Sequence, residues 1–141
     1  MSTLTTRNQL DGKVSSVIKG NVMAEVKVDV HGEEFVAAVT RHSGERLGLS
    51  DGDAVTVLIK ATEVMLAKSS SQLEGLSTRN QIKGKVATIA PGSVMAEVTI
   101  SAAGGHELVA AVTRNSVERL GLVEGDDVVV LIKATEVMLA K

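Results

Sequence analysis

The chain of 141 residues repeats itself almost completely. Residues 4–9 read LTTRNQ and residues 76–81 read LSTRNQ, while the segment VLIKATEVMLAK occurs unchanged at 57–68 and 130–141. The offset between the copies is about 72 residues early and about 73 late, so one residue is inserted near 103–105. A period of roughly 70 residues is too long for a solenoid repeat and matches a small domain. We therefore interpret the chain as a tandem duplication of one module.

Composition limits how such a module is stabilised. The chain has one Phe and no Tyr, Trp or Cys, so neither large aromatic side chains nor disulfides reinforce a small core. We therefore expect module to associate with module, or chain with chain. The formal net charge of −2, without a basic stripe, argues against a nucleic-acid partner. No apolar run approaches a membrane span, and the opening residues do not resemble a signal peptide, so we expect a cytoplasmic protein without a membrane partner.

Alternating apolar residues predict an all-β module. Over 22–30, valine, alanine and polar residues alternate with the period of a half-buried strand, and further strands are predicted at 10–19, 34–41, 54–60 and 63–68. The segment 43–48 predicts one helical turn, with Ser43 as its N-cap and Gly48 as its end.

Five short strands with one helical turn between the third and the fourth are typical of an OB-like barrel. We therefore predict two tandem OB-like five-stranded Greek-key barrels. The first module is placed at 1–68 and the second at 76–141, and residues 69–75 form a polar linker.

Several polar side chains kept in both copies are of types that bind anions. Arginine offers a fork of N–H donors, lysine a compact cation, and serine and threonine a hydroxyl donor. In the first copy they are Thr6, Arg7, Asn8, Thr40, Arg41, Ser43 and Lys60. Taken singly, Ser43 could be only an N-cap, Arg7 only a surface charge, and Lys60 only a charge that protects an edge strand. Taken together, in both copies, these residues favour an oxyanion site.

The opening LTTRNQLDGKV resembles the S-A-R-N-x-x-x-G opening of the molbindin, or Mop-type, molybdate-binding family. The second copy, LSTRNQIKGKV, is more similar because Ser77 stands in the serine place. MAEV, VAAVTRHSGERLGL and VLIKATEVML are also similar to successive family segments. The resemblance covers nearly the whole chain and implies a two-module (di-Mop) molbindin. It implies OB-like barrels, a homotrimer, and molybdate or tungstate bound at subunit and module interfaces, as a ligand and not as a catalytic cofactor.

The resemblance also implies the anion ligands. They come from the opening motif, from the threonine and serine before the helical turn, and from the lysine of the fourth strand with the amide that follows it. Around these positions the expected binding residues are Thr5, Thr6, Arg7, Thr40, Ser43, Lys60 and Ala61 in the first copy, and Ser77, Thr78, Arg79, Thr113, Ser116, Lys133 and Ala134 in the second. No catalytic residue and no side-chain ligand for a metal cation is expected.

The sequence thus favours binding and storage of molybdate. One alternative is an OB-type nucleic-acid-binding protein, although base stacking needs exposed aromatics and Phe35 is the only aromatic residue. Another is a ligand-sensing regulatory module. An enzyme is not expected, because His31, His42 and His106 do not recur at matching positions and are predicted to lie on the surface.

Overall fold

The computed structural model describes residues 3–141, and within them the chain forms ten strands and two short helices. The first repeat contains β1 (Asn8–Lys19), β2 (Met23–Val30), β3 (Glu33–Thr40), α1 (Arg41–Leu47), β4 (Ala54–Ile59), a 3-10 turn (Ala61–Glu63) and β5 (Met65–Ala67). The second contains β6 (Asn80–Pro91), β7 (Met95–Ala102), β8 (Glu107–Thr113), α2 (Arg114–Leu120), β9 (Asp127–Ile132), a 3-10 turn (Ala134–Glu136) and β10 (Met138–Ala140). The predicted all-β fold of two five-stranded OB-like units is confirmed. The first two residues of the predicted module 1–68 lie outside the described range.

The predicted helical turn exists, but it begins earlier than expected. Thr40, and not Ser43, is the N-cap of α1: its Oγ1 accepts a hydrogen bond from the Ser43 amide at 3.1 Å. The prediction chose the serine nearest the turn, whereas the extended end of β3 already supplies the cap geometry at Thr40. The helix ends at Gly48, which has a left-handed φ of 61°, as the sequence indicated.

The two sheets do not coincide with the two repeats. Their strand orders are β10-β4-β1-β2-β3 and β5-β9-β6-β7-β8, all antiparallel. The short last strand of each repeat therefore pairs with the fourth strand of the other, for example Leu139 with Val57 and Leu66 with Val130. The prediction of five strands per unit holds, but each unit takes its fifth strand from the opposite repeat.

One hydrophobic core serves both repeats. The alternating residues of β2 behave as predicted, since Val26, Val28 and Val30 are fully buried. Phe35 of β3 and its counterpart Leu108 of β8 belong to the same continuous cluster. The shared core provides the apolar contacts that a single module of about 70 residues is too small to form alone. The expected association of module with module thus takes place within one chain.

Two buried asparagines join the repeats at their sheet edges. Asn80 donates from Nδ2 to the Val36 carbonyl and accepts from the Val36 amide at Oδ1, both at 2.8 Å. Asn8 makes the same pair of bonds to Val109, at 2.9 and 2.7 Å. Because β3 and β8 are edge strands, each asparagine side chain replaces the missing neighbour strand at one residue. Asn8 is therefore a structural residue, and its grouping with the anion-binding types was wrong.

A titratable pair lies where the two repeats face each other. The inserted residue lengthens the β7–β8 turn and brings His106 opposite Glu33, its counterpart in the first copy. Their Nε2 and Oε1 atoms are 3.3 Å apart, without hydrogen-bond alignment. Burial lowers the pKa of the His106 imidazole and raises the pKa of the Glu33 carboxyl. The prediction of surface histidines is confirmed for His31 and His42, which are exposed. It is wrong for His106.

The asparagine contacts give a testable prediction. Asn80→Ala leaves the buried N–H and C=O of Val36 without partners, and we expect it to lower the free energy of unfolding by about 3 kcal/mol. Asn8→Ala should act in the same direction at Val109. Asn115→Ala is the matched control, because Asn115 is exposed on α2. Chemical denaturation of the three variants measures the difference. Equal unfolding midpoints for Asn80→Ala and Asn115→Ala would show that the amide contacts contribute nothing.

Candidate functional site

The opening loops are held in place by glutamine side chains. Gln9 donates from Nε2 to the Thr6 carbonyl at 2.9 Å and to the Leu4 carbonyl at 3.3 Å. Gln81 does the same for the second loop, to the carbonyls of Thr78 and Leu76. These bonds satisfy loop carbonyl oxygens internally. The groups left for an external ligand are then mainly the donors of Thr5, Thr6 and Arg7, and of Ser77, Thr78 and Arg79.

Lys60 and Lys133 stand at equivalent strand ends. Each follows the last residue of an inner strand, β4 or β9, so neither protects a sheet edge and that interpretation is wrong. Both are exposed, and among residues 3–141 neither ammonium makes an ion pair. Ala61 and Ala134 open the 3-10 turns that follow, where a first amide N–H has no partner within the turn. Within residues 3–141, a lysine without an ion pair thus lies beside an amide that its own turn leaves unpaired.

The first opening loop and the first lysine meet in one depression. Thr5, Thr6 and Arg7 line it together with Lys60, Ala61 and Thr62, and Met138 of the other repeat closes one side. The structure thus gathers five of the expected ligands of the first copy at one place.

The threonine–serine pairs lie next to residues of the opposite repeat. Thr113 and Ser116 line a depression with Thr62 of the first repeat, and β8 packs against the turn that contains Thr62. Ser43 correspondingly shares a depression with Thr135, the counterpart of Thr62. We define the first composite site as Thr5, Thr6, Arg7, Lys60 and Ala61 with Thr113 and Ser116. By the equivalence of the repeats we define the second composite site as Ser77, Thr78, Arg79, Lys133 and Ala134 with Thr40 and Ser43, of which Ser43 lines the depression that contains Thr135.

Each threonine–serine pair is oriented before any ligand arrives. Thr40 accepts the Ser43 amide at Oγ1, and its hydroxyl donates to the Ser43 hydroxyl at 2.8 Å. In the second repeat the Thr113 and Ser116 hydroxyls are 2.7 Å apart, with the same amide bond. When the threonine donates to the serine, the serine hydroxyl proton is left to donate to a ligand.

Sequence reasoning missed an acidic residue beside each arginine. Arg7 pairs with Glu97 of the second repeat, and Arg79 pairs with Glu25 of the first at 2.9 Å. Alternation over 22–30 places Glu25 on the polar face of its strand and predicts no partner, whereas the recurrence of MAEV in both copies is the signal that could have identified it. Each composite site therefore contains two cations and one carboxylate.

The composite sites offer hydroxyl, amide, guanidinium and ammonium donors. Such groups replace the water shell of an oxyanion without a metal ion. Within residues 3–141, no cluster of three or more His, Cys, Asp or Glu side chains is arranged to hold a metal.

Comparison with known proteins places the chain in a family. The TOBE domain model matches residues 4–66 and again 76–139. Molybdenum-pterin-binding protein MopB of Rhodobacter capsulatus is 35% identical over 135 residues, which are 95% of this chain and 50% of that protein. Molybdenum-pterin-binding protein 1 of Clostridium pasteurianum is 42% identical over 64 residues, which are 45% of this chain and 94% of that protein. The cytoplasmic molybdate-binding protein ModG, solved with molybdate bound, superposes with a TM-score of 0.91 at 39% identity over 97% of both chains.

The extent of these matches differs. The chain spans about half the length of the Rhodobacter relative, whereas it matches ModG from end to end. None of the helices among the described residues is long and apolar enough to cross a bilayer. The double match to the TOBE model and the full-length likeness to ModG agree with the duplication, the paired sheets and the repeated donor sets. The chain belongs to the TOBE-domain family, as a two-module member of the molbindins.

Proposed function

We propose that this protein binds molybdate reversibly and stores it in the cytoplasm, and that tungstate occupies the same sites. The observation that carries the proposal is the convergence of Arg7 and Lys60 with Thr5 and Thr6 on one depression. The relatives support it, since one is named for molybdenum-pterin binding and ModG is a cytoplasmic protein solved with molybdate. Both names describe binding, so catalysis is not part of the proposal.

The chemistry of the composite sites suits a tetrahedral dianion. Molybdate accepts hydrogen bonds at four oxygens and donates none, so it needs a surrounding set of donors. In the first composite site Arg7 supplies directed N–H groups, and Lys60 supplies a point charge. The Ala61 amide and the Ser116 hydroxyl supply neutral donors that add coordination without further charge. A ligand held only by hydrogen bonds and charge leaves unchanged, as storage requires.

Nucleic-acid binding is the weaker candidate. Stacking of bases needs exposed aromatic rings, and Phe35 is fully buried in the core. A ligand-sensing regulatory role would use the same anion sites, but no feature of the described residues favours it over storage.

Titration calorimetry with molybdate, tungstate, sulfate and phosphate tests the proposal. We expect two sites of similar affinity per chain for molybdate and tungstate. Sulfate has the same charge and shape but is smaller, so it should leave donors unpaired and bind far more weakly. Phosphate near pH 7 carries a proton on one oxygen, and this O–H group meets a site made mainly of donors, so phosphate should also bind more weakly. Sulfate that displaces molybdate at comparable concentration would indicate a general anion patch and contradict storage.

The lysines give a second prediction. Lys60→Met keeps most of the side-chain volume and removes the charge from the first composite site only. We expect this site to bind molybdate about tenfold to a hundredfold more weakly, because a hydrogen bond to a charged group contributes roughly 1.5–3 kcal/mol. The second site should be unchanged, so the isotherm should separate into two classes. Lys13→Met, an exposed lysine of β1 outside both sites, is the control. If the two variants bind alike, Lys60 is only a surface charge.

We further propose that the chain forms a homotrimer, as the family resemblance implies. The β1–β2 hairpin exposes Val22 at 73%, and the β6–β7 hairpin exposes Val94 at 71%, with a methionine beside each. Exposed apolar groups at matching places are suited to subunit contacts. Because each sheet takes its last strand from the opposite repeat, we also propose that the boundaries 1–68, 69–75 and 76–141 mark units of duplication that do not fold alone.

Assembly is tested by mass. Light scattering should give about three times the 14.7 kDa of one chain. The double variant Val22→Asp/Val94→Asp should lower that mass, because it places charge in the apolar contact. Val123→Asp is the control, because Val123 is 58% exposed and its counterpart is already polar, Ser50. A monomer mass for the unmodified chain at micromolar concentration contradicts the trimer.

A further inference from the structure

We propose that Glu97 and Glu25 are positioning residues that compete with the oxyanion for the site arginines. Without ligand, each carboxylate pairs with one guanidinium. When the anion binds, its oxygens replace the carboxylate at that guanidinium, in an exchange of one partner for the other. This inference rests on the proposed function and adds to it a device that sets the affinity.

The strand geometry and the pair with Arg7 place Glu97 beside the first composite site. On β7, Glu97 and Met95 point to the same face because alternate residues do so. Their partners across the ladder are Ala111 and Thr113. Met95, Ala111 and Thr113 all line the depression that Thr62 also lines. The Glu97 side chain therefore lies on the face of β7 that borders this depression.

The arginine that Glu97 engages comes from the opposite repeat. Arg7 reaches it across the contact between the repeats, and both side chains are about half exposed. The second site has the equivalent pair, with a contact to each of the two carboxylate oxygens. There Arg79 donates from Nη1 to Oε2 of Glu25 at 2.9 Å, and its Nη2 lies 3.5 Å from Oε1. Both terminal nitrogens of that guanidinium thus face the carboxylate.

Charge decides what such an arrangement does. A half-exposed arginine–glutamate pair contributes little to stability, since solvent screens it. A carboxylate within contact distance of the arginine also repels an approaching dianion, and it occupies donors that the dianion needs. The paired guanidinium is kept in its position, but the carboxylate must be displaced before the arginine can serve the ligand. We therefore expect the site to bind the oxyanion more weakly than the same donors would without the carboxylate.

The isosteric variant Glu97→Gln tests the inference in the full-length protein. We expect the first composite site to bind molybdate about fivefold more tightly, which is the factor equivalent to a screened ion pair. The second site should not change, so one of the two sites per chain should become the tighter one. Glu25→Gln is an independent variant with the same expected effect at the second site.

Glu118→Gln is the matched control. Glu118 pairs with Arg114 at 3.0 Å, so the variant removes the same charge and the same kind of pair outside the proposed donor sets. Titration with sodium molybdate and the unfolding temperature without ligand are measured on all four proteins. Tighter binding in Glu97→Gln and Glu25→Gln, but not in Glu118→Gln, supports the exchange.

The remaining outcomes separate the inference from the proposed function. Unmodified protein that binds no molybdate overturns the proposed function itself. Unmodified protein that binds, with Glu97→Gln and Glu25→Gln binding equally or more weakly, overturns the exchange alone. A lower unfolding temperature with unchanged affinity assigns the pairs a purely structural role, and equal tightening in Glu118→Gln assigns the effect to net charge. Both results also overturn the exchange.

Discussion

The contact on which the rest of the structure depends is the one between an asparagine side chain and the edge strand of the other repeat. Asn8 bonds both backbone groups of Val109, and Asn80 bonds both backbone groups of Val36. The arginine precedes the asparagine by one residue. Fixing Asn8 on β8 therefore fixes Arg7 beside β7 and β8, where Glu97 and Thr113 lie. A contact that satisfies buried backbone groups also carries the anion-binding loop to the opposite repeat.

The pairing of each last strand with the opposite repeat also carries the lysines toward that repeat. The chain leaves β4 at Lys60, makes the turn Ala61–Glu63 and enters the other sheet as β5. The turn packs on β8, and its Thr62 lines one depression with Thr113 at the end of that strand. The composite sites are thus a geometric consequence of this strand pairing. The shared core then makes separation of the repeats costly, because it would expose the apolar faces of both.

Much of this fold could be predicted from the sequence, because duplication, strand alternation and turn residues are local signals. The pairing of each last strand with the fourth strand of the other repeat could not be predicted, for a definite reason. The segment that contains β5 is identical to the one that contains β10, and the fourth strands share the ending Val-Leu-Ile. Either last strand therefore offers the same side chains to either fourth strand, and only the path of the chain through the turn decides between them. The asparagine was misassigned because an amide suits an anion as well as a backbone pair. The glutamates were missed because a polar face of a strand predicts exposure and no particular partner.

The composite construction also limits how the two sites can differ. Each site takes its loop, lysine and turn from one repeat, and its threonine and serine from the other. A substitution in one repeat therefore alters one half of one site, or the other half of the second site. The loops differ by Thr5 against Ser77, while the pairs Thr40–Ser43 and Thr113–Ser116 are the same. One difference in charge between the copies, Glu33 against His106, lies at the turn that begins β3 and β8, whereas Thr40 and Thr113 end those strands. This difference lies away from the donor sets, which have stayed nearly equal.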